Sequence, residues 1–138
     1  MWTKRKKTIA IVAATVLFAT VPAFVYLFTQ MHDANNAFDT FSGALVSKNY
    51  ESAYSLTTAD FQAAMGKSAF VDQQTALCSN LGALKKVVRG WSSETEVSQN
   101  GWSSTVNARF VFERAERQFV FVMKKQENEW RVFGYKEQ

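Results

Sequence analysis

The sequence predicts an α+β chain in which one membrane-spanning helix precedes a small domain of helices packed on a bent, four-stranded antiparallel sheet. Three observations carry this expectation. Thr8 to Phe28 contains no charged residue and follows Lys4, Arg5, Lys6 and Lys7. From Ala34 to Leu81 apolar residues recur at offsets of three and four, the spacing of a helix face. From Leu84 onward the period drops to two, and turn residues divide the pattern into strands. Helices first and strands last is the α+β order.

The apolar stretch comes first. A bilayer core about 30 Å thick needs roughly 20 apolar residues at 1.5 Å of helical rise each, and Thr8 to Phe28 supplies that length. The segment must be helical, because lipid offers no water to backbone N–H and C=O groups. Pro22 lies inside the run, where membrane helices tolerate it, and Trp2 and Tyr26 sit near its ends as interfacial aromatics do. A competing reading is a signal peptide cleaved after Ala23 at Val21-Pro22-Ala23. It would leave Phe24-Val25-Tyr26-Leu27-Phe28 as an exposed apolar start, which favours an uncleaved anchor. No cysteine lies near the segment to take a lipid. Basic residues precede the span and none occurs in Thr29 to Asp33, so the N-terminus is expected in the cytoplasm and the rest outside it, across the plasma or inner membrane. The expected organisation is a basic leader over 1–7, a span over 8–28 and an exported domain over 33–138.

The overall charge of +4 is a property of the leader. Four of the 16 basic residues lie there and none of the 12 acidic ones, so the exported part is neutral. A nucleic-acid partner would require a basic excess on the domain itself, and none is present. Nine Phe, three Trp and three Tyr in that part exclude a disordered chain. Cys78 is the single cysteine, so no internal disulfide is available and packing must hold the fold. There is no repeat, no low-complexity stretch and no proline after Pro22.

Ala34, Ala37, Phe38, Phe41 and Leu45 form the apolar stripe of the first domain helix, expected to follow the span after a tether of a few residues. Asn49 can cap a short helix from Tyr50 to Leu56. Thr57-Thr58-Ala59-Asp60 fits a capping box before Phe61 and Met65, with Gly66 closing that piece. Ser68 is placed as the cap of a further helix, with Asp72 in its first turn, Phe70, Leu77 and Leu81 on its apolar face and Gly82 at its end. Leu84 to Val97 reads as a strand with a bulge at Gly90, and Asn100-Gly101 is a hairpin signal. Val106, Ala108, Phe110 and Phe112 alternate with polar and β-branched neighbours. After a turn at Arg114-Ala115-Glu116, Phe119, Phe121 and Met123 do the same, and Glu127-Asn128 turns into Trp130 to Tyr135. One sheet face, with Val106, Phe110, Phe112, Phe119 and Phe121, is expected to meet the helices. The other carries Val111, Val120, Val122, Phe133 and Tyr135, more apolar than a fully wetted face, and is the candidate partner surface. Its alternative is one curved sheet wrapped round the helices.

The order of elements, with Asn49-Tyr50-Glu51-Ser52-Ala53-Tyr54, Leu56-Thr57, Phe61 and a last strand opening Glu129-Trp130-Arg131-Val132, resembles the NTF2-like superfamily over about residues 33 to 137. That resemblance implies a cone, a bent sheet round helices with an internal pocket, and frequent dimerisation through the sheet. The superfamily holds isomerase- and dehydratase-like enzymes as well as non-catalytic binding and assembly modules, and fold does not choose between them.

The residues show no catalytic constellation. Asp60 reads as a capping residue, Asp39 lies off the apolar stripe, and Asp72 completes the set of carboxylates near the helices. Tyr50 and Tyr54, four apart on a short helix, and Trp102 beside the hairpin turn are the candidate pocket residues for a small apolar ligand. His32, the one histidine, has no second ligand at zinc spacing. No phosphate-cradling glycine loop is present. No cofactor and no metal are therefore expected. The leading expectation is a membrane-anchored binding or assembly module that meets a protein partner or a second copy; the alternative is a pocket-binding protein or enzyme.

Overall fold

The computed structural model describes the backbone from Trp2 to Gln138 and the side chains of residues 22–90 and 94–138. The chain divides into two compact units, Met1–Gln30 and Met31–Gln138. Helix α1 is continuous over Trp2–Val46, with Pro22 inside it. The short tether expected after the span is thus replaced by uninterrupted helix, since no glycine or proline lies between Ala23 and Ser42 to stop it. Most of the expected span, Thr8 to Val21, has side chains outside the described residues. Among the described residues no helix is long and apolar enough to cross a membrane. In the first unit Phe24, Val25, Tyr26 and Phe28 are more than half exposed, while Leu27 is half-buried.

In the second unit the helices and the sheet share one core. Ala34, Phe38, Phe41 and Leu45 of α1 are buried, the stripe that the spacing predicts. The helix ends before Lys48, which takes φ 59°. Asn49 then caps α2, Tyr50–Ser55, by accepting from the Ser52 N–H at 3.3 Å. Helix α3, Ala59–Ala64, is capped by Thr58, whose Oγ1 accepts from the Phe61 N–H at 3.1 Å. The capping box is therefore displaced by one residue: Thr57 instead donates back to the Tyr54 carbonyl, and Asp60 falls where it cannot reciprocate. Helix α4, Lys67–Leu81, starts from Gly66 rather than Ser68, without a side-chain cap. Asp72 consequently lies beyond its first turn. Gly82 ends it at φ 86°, where an added Cβ would stand 2.6 Å from the Glu113 Cβ.

The sheet is an antiparallel meander in the order β1-β2-β3-β4, formed by Leu84–Ser98, Gly101–Phe112, Glu116–Gln126 and Glu129–Glu137. Strand β1 is irregular between Arg89 and Ser93, around Gly90. The first hairpin turns through Gln99-Asn100, and Gly101 follows at φ 96°. The glycine thus supplies the left-handed residue just after the turn, not within it. Glu127 and Asn128, both at positive φ, make the last turn. A parallel bridge from Thr57 to Val132 ties the α2–α3 connection to β4, with Val132 donating to the Leu56 carbonyl at 3.0 Å.

Val106, Ala108, Phe110, Phe112, Phe119, Phe121, Met123, Trp130 and Val132 are buried on the face toward the helices. Phe121 is central: its ring lies 4.9 Å from Phe38, 5.9 Å from Phe41, 5.7 Å from Phe110 and 5.0 Å from Tyr135. Such edge-on and offset aromatic contacts add to the area each ring removes from water.

Candidate functional site

The sheet has a second face, and its residues follow from the register. Thr105 stands opposite Val122, Asn107 opposite Val120, Arg109 opposite Gln118 and Val111 opposite Glu116. Toward the edges, Glu94 pairs with Thr105 and Glu96 with Ser103 on β1. Lys136 pairs with Val120, Gly134 with Val122 and Arg131 with Lys124 on β4. Val111, Val120, Val122 and Phe133 are half-buried. Two β-branched side chains therefore sit at the middle of β3; the β1 edge carries Glu94 and Glu96 toward one end and Lys86 toward the other, and the β4 edge carries Lys136 and the Arg131–Glu129 pair.

Tyr135 does not belong to this face. The register slips between Val122 and Met123, so that Met123 faces Val132 while Val122 faces Gly134. Phe133 is the extra residue of a β-bulge, and the side-chain alternation resets beyond it. Tyr135 therefore points to the helices, where its hydroxyl donates to Gln73 Oε1 and accepts from Gln74 Nε2 at 3.2 Å. Burial pushes its phenol up to about 12, with the Gln74 contact opposing. Gly134, an isolated glycine in a strand, was the signal for this bulge. Phe133 stays on the solvent side, its ring beneath the Lys124 ammonium at 3.7 Å, a cation–π contact.

The candidate pocket residues are not brought together. The Tyr50 hydroxyl lies 3.7 Å from the Cys78 Sγ, and burial together with that contact raises its phenol to about 12. Tyr54 packs on Phe61 and Phe70 and donates to the Met65 carbonyl at 2.9 Å. Trp102 is half-buried at the start of β2, opposite Val97. Between helices and sheet, Phe41, Gln74, Phe110, Phe119, Phe121 and Tyr135 leave a cavity of about 10 Å³, room for a single water at most. A larger open groove of about 550 Å³ runs outside the core, between Thr58-Ala59-Asp60 and Lys124, Lys125, Gln126 and Phe133.

Asp39 pairs with Arg89 at 3.1 Å, and Asp60 and Asp72 are exposed. His32 is exposed as well. Among the described residues no three His, Cys, Asp or Glu side chains gather closely enough to hold a metal ion. Glu94, Glu96 and Lys136, three of the charged residues of the outer face, were missed by the sequence reading. Their pattern becomes visible only once the strand register is known. Compared with known proteins, the chain matches no family model and no curated protein.

Proposed function

We propose that this chain is a single-pass membrane protein with a cytoplasmic N-terminus and an exported NTF2-like domain, and that the domain works by protein–protein contact through its outer sheet face. The observation that carries the reading is the contrast between that face and the interior. The outer face holds Val111, Val120 and Val122 half-buried, and among the described residues no element packs over them. Among the described residues, the cavity between helices and sheet lined by Phe41, Phe110, Phe121 and Tyr135 is about 10 Å³, far below the roughly 300–1,000 Å³ of small-molecule sites. Binding at a surface fits this better than chemistry in a pocket.

The anchor is supported by the uncharged run Thr8 to Phe28, the basic leader before it and the exposure of Phe24, Val25, Tyr26 and Phe28. Apolar side chains exposed together are costly in water and stable in lipid. Confinement to a membrane raises the local concentration of the domain, so weak contacts suffice for association. The test is crosslinking of tagged full-length chain in native membranes, followed by mass spectrometry of what co-purifies. Wild type is expected to capture a reproducible protein adduct and Val120→Asp to lose it. A folded Val120→Asp chain with unchanged associations would remove the outer face from consideration.

A further inference from the structure

A meander of order β1-β2-β3-β4 has two edges, and this chain protects them unequally. We infer that the second half of β1, Ser93 to Ser98, is a docking edge for an extended segment of another protein in which basic and apolar residues alternate. The inference goes beyond contact through the outer face, because it rests on backbone groups at the border of the sheet. An open edge strand presents a row of N–H and C=O groups on which a foreign chain can add, and folded proteins block it with lysine, bulges or a covering segment. At β4 the Val132 N–H donates to the Leu56 carbonyl at 3.0 Å, and the Val132 carbonyl accepts from the Thr58 N–H at 2.9 Å. The bulge at Phe133 interrupts the rest of that edge. The first half of β1 carries exposed Lys85 and Lys86, is tied to α1 by the Arg89–Asp39 pair and ends in the irregularity around Gly90. Ser93 to Ser98 has none of these devices. It pairs with β2 without a register shift and contains neither lysine nor proline. Among the described residues no backbone hydrogen bond reaches it from outside the β1–β2 ladder.

The register identifies the groups left open. Ser98 and Gly101 flank a two-residue turn and exchange both backbone bonds, as do Glu96 with Ser103 and Glu94 with Thr105. Thr95 and Val97 alternate with them and therefore direct their N–H and C=O groups away from β2. The side chains divide by face in the same way. Glu94 and Glu96 lie on the outer face, both exposed, and among the described residues neither makes a hydrogen bond or ion pair. Thr95 lies on the inner side, its Oγ1 3.0 Å from the Ser104 Oγ, and Val97 on that side is 63% exposed.

These side chains choose the occupant. Directly opposed residues of neighbouring strands interact, and like charges there are destabilising. Two-fold pairing of this edge with its own copy is antiparallel: centred on Thr95 it sets Glu94 opposite Glu96, and centred on Glu96 it sets that residue opposite itself. A second copy is therefore disfavoured. An added strand with lysine or arginine on the outer side and apolar residues on the inner side answers both glutamates and covers Val97. Main-chain bonds then supply affinity and the alternate side chains specificity.

The probe is a capped peptide of alternating lysine and valine, titrated into full-length chain in mild detergent. Binding is read by anisotropy of the labelled peptide and by amide hydrogen exchange of the protein. Exchange at Thr95 and Val97 is expected to slow about tenfold or more, and to change less at Glu94 and Glu96, whose amides β2 already holds. Glu94→Lys combined with Glu96→Lys is expected to weaken binding about tenfold and to accept instead the peptide with glutamate in place of lysine. Val97→Pro removes an N–H that the ladder does not use. It is expected to abolish binding while circular dichroism retains the wild-type fold. Val120→Asp is expected to leave peptide binding unchanged, which separates this edge from the outer-face contact. No binding of the lysine peptide, binding without protection of Thr95 and Val97, or a peptide preference that survives the charge reversal would overturn the inference and leave the outer-face reading standing.

Discussion

The two faces of this sheet alternate along the same strands, yet they are built to different rules. The inner face is large and aromatic, with Phe110, Phe119 and Phe121 meeting Phe38 and Phe41 from α1. The outer face sets Val120 and Val122 beside Asn107 and Thr105 and carries charge on all four strands, including the Arg109–Glu116 pair. Aromatic rings fill the space between helices and sheet, so the first face makes the fold. On the proposed reading the second face meets another surface, and position within a strand, odd or even, divides stability from association.

The largest separation of the two roles comes from one pair of neighbours. Phe121→Ala removes the ring at the centre of the core and is expected to cost about 3–5 kcal/mol, read as a fall in the unfolding midpoint of full-length chain in detergent. Val120→Asp, one residue earlier, is expected to leave that midpoint almost unchanged and to weaken association at least tenfold. Equal losses of stability at both positions would erase the distinction between the faces.

A smaller effect is expected from Thr58→Ala, which removes the oxygen that accepts from Phe61 N–H. The loss of that cap is expected to cost about 1 kcal/mol and to leave association intact, sharpening the division from the helix side. Tyr135 sharpens it through pH. Its phenol is raised from 10.0 to about 12 in the fold, so the folded state holds a proton that the unfolded chain gives up. That contribution is fully present below pH 10 and is lost as pH rises through 12. The unfolding midpoint is expected to decline across that window, and less steeply in Tyr135→Phe; Tyr50, also raised to about 12, supplies the remaining decline. The smallest effect belongs to the exposed Glu51–Lys67 pair. Lys67 lowers the Glu51 pKa, but Glu51→Gln is expected to leave the midpoint unchanged within error at moderate salt.

Much of this was legible in the residues because periodicity survives translation into structure. The stripe Ala34, Phe38, Phe41, Leu45 and the alternation from Val106 to Met123 each mark their buried face directly. Local events were less legible. Thr57 and Thr58 are chemically equivalent caps, and the bridge of the α2–α3 connection to β4 accompanies the use of Thr58. The slip at Phe133 reverses every later side chain of β4, which carried Tyr135 from the outer face to the core. The unpaired charges of Glu94 and Lys136 are forty-two positions apart, and only the register sets them on opposite edges of one face.

The most direct test of the division between the faces places a photocrosslinking side chain at Val122 on the outer face in full-length chain, in native membranes. The same probe at Asp72, exposed on α4, serves as the comparison. A discrete protein adduct from position 122, absent from position 72, is the expected result. An adduct of equal yield from both positions, or none from position 122 while the chain still co-purifies with its associates, would contradict it.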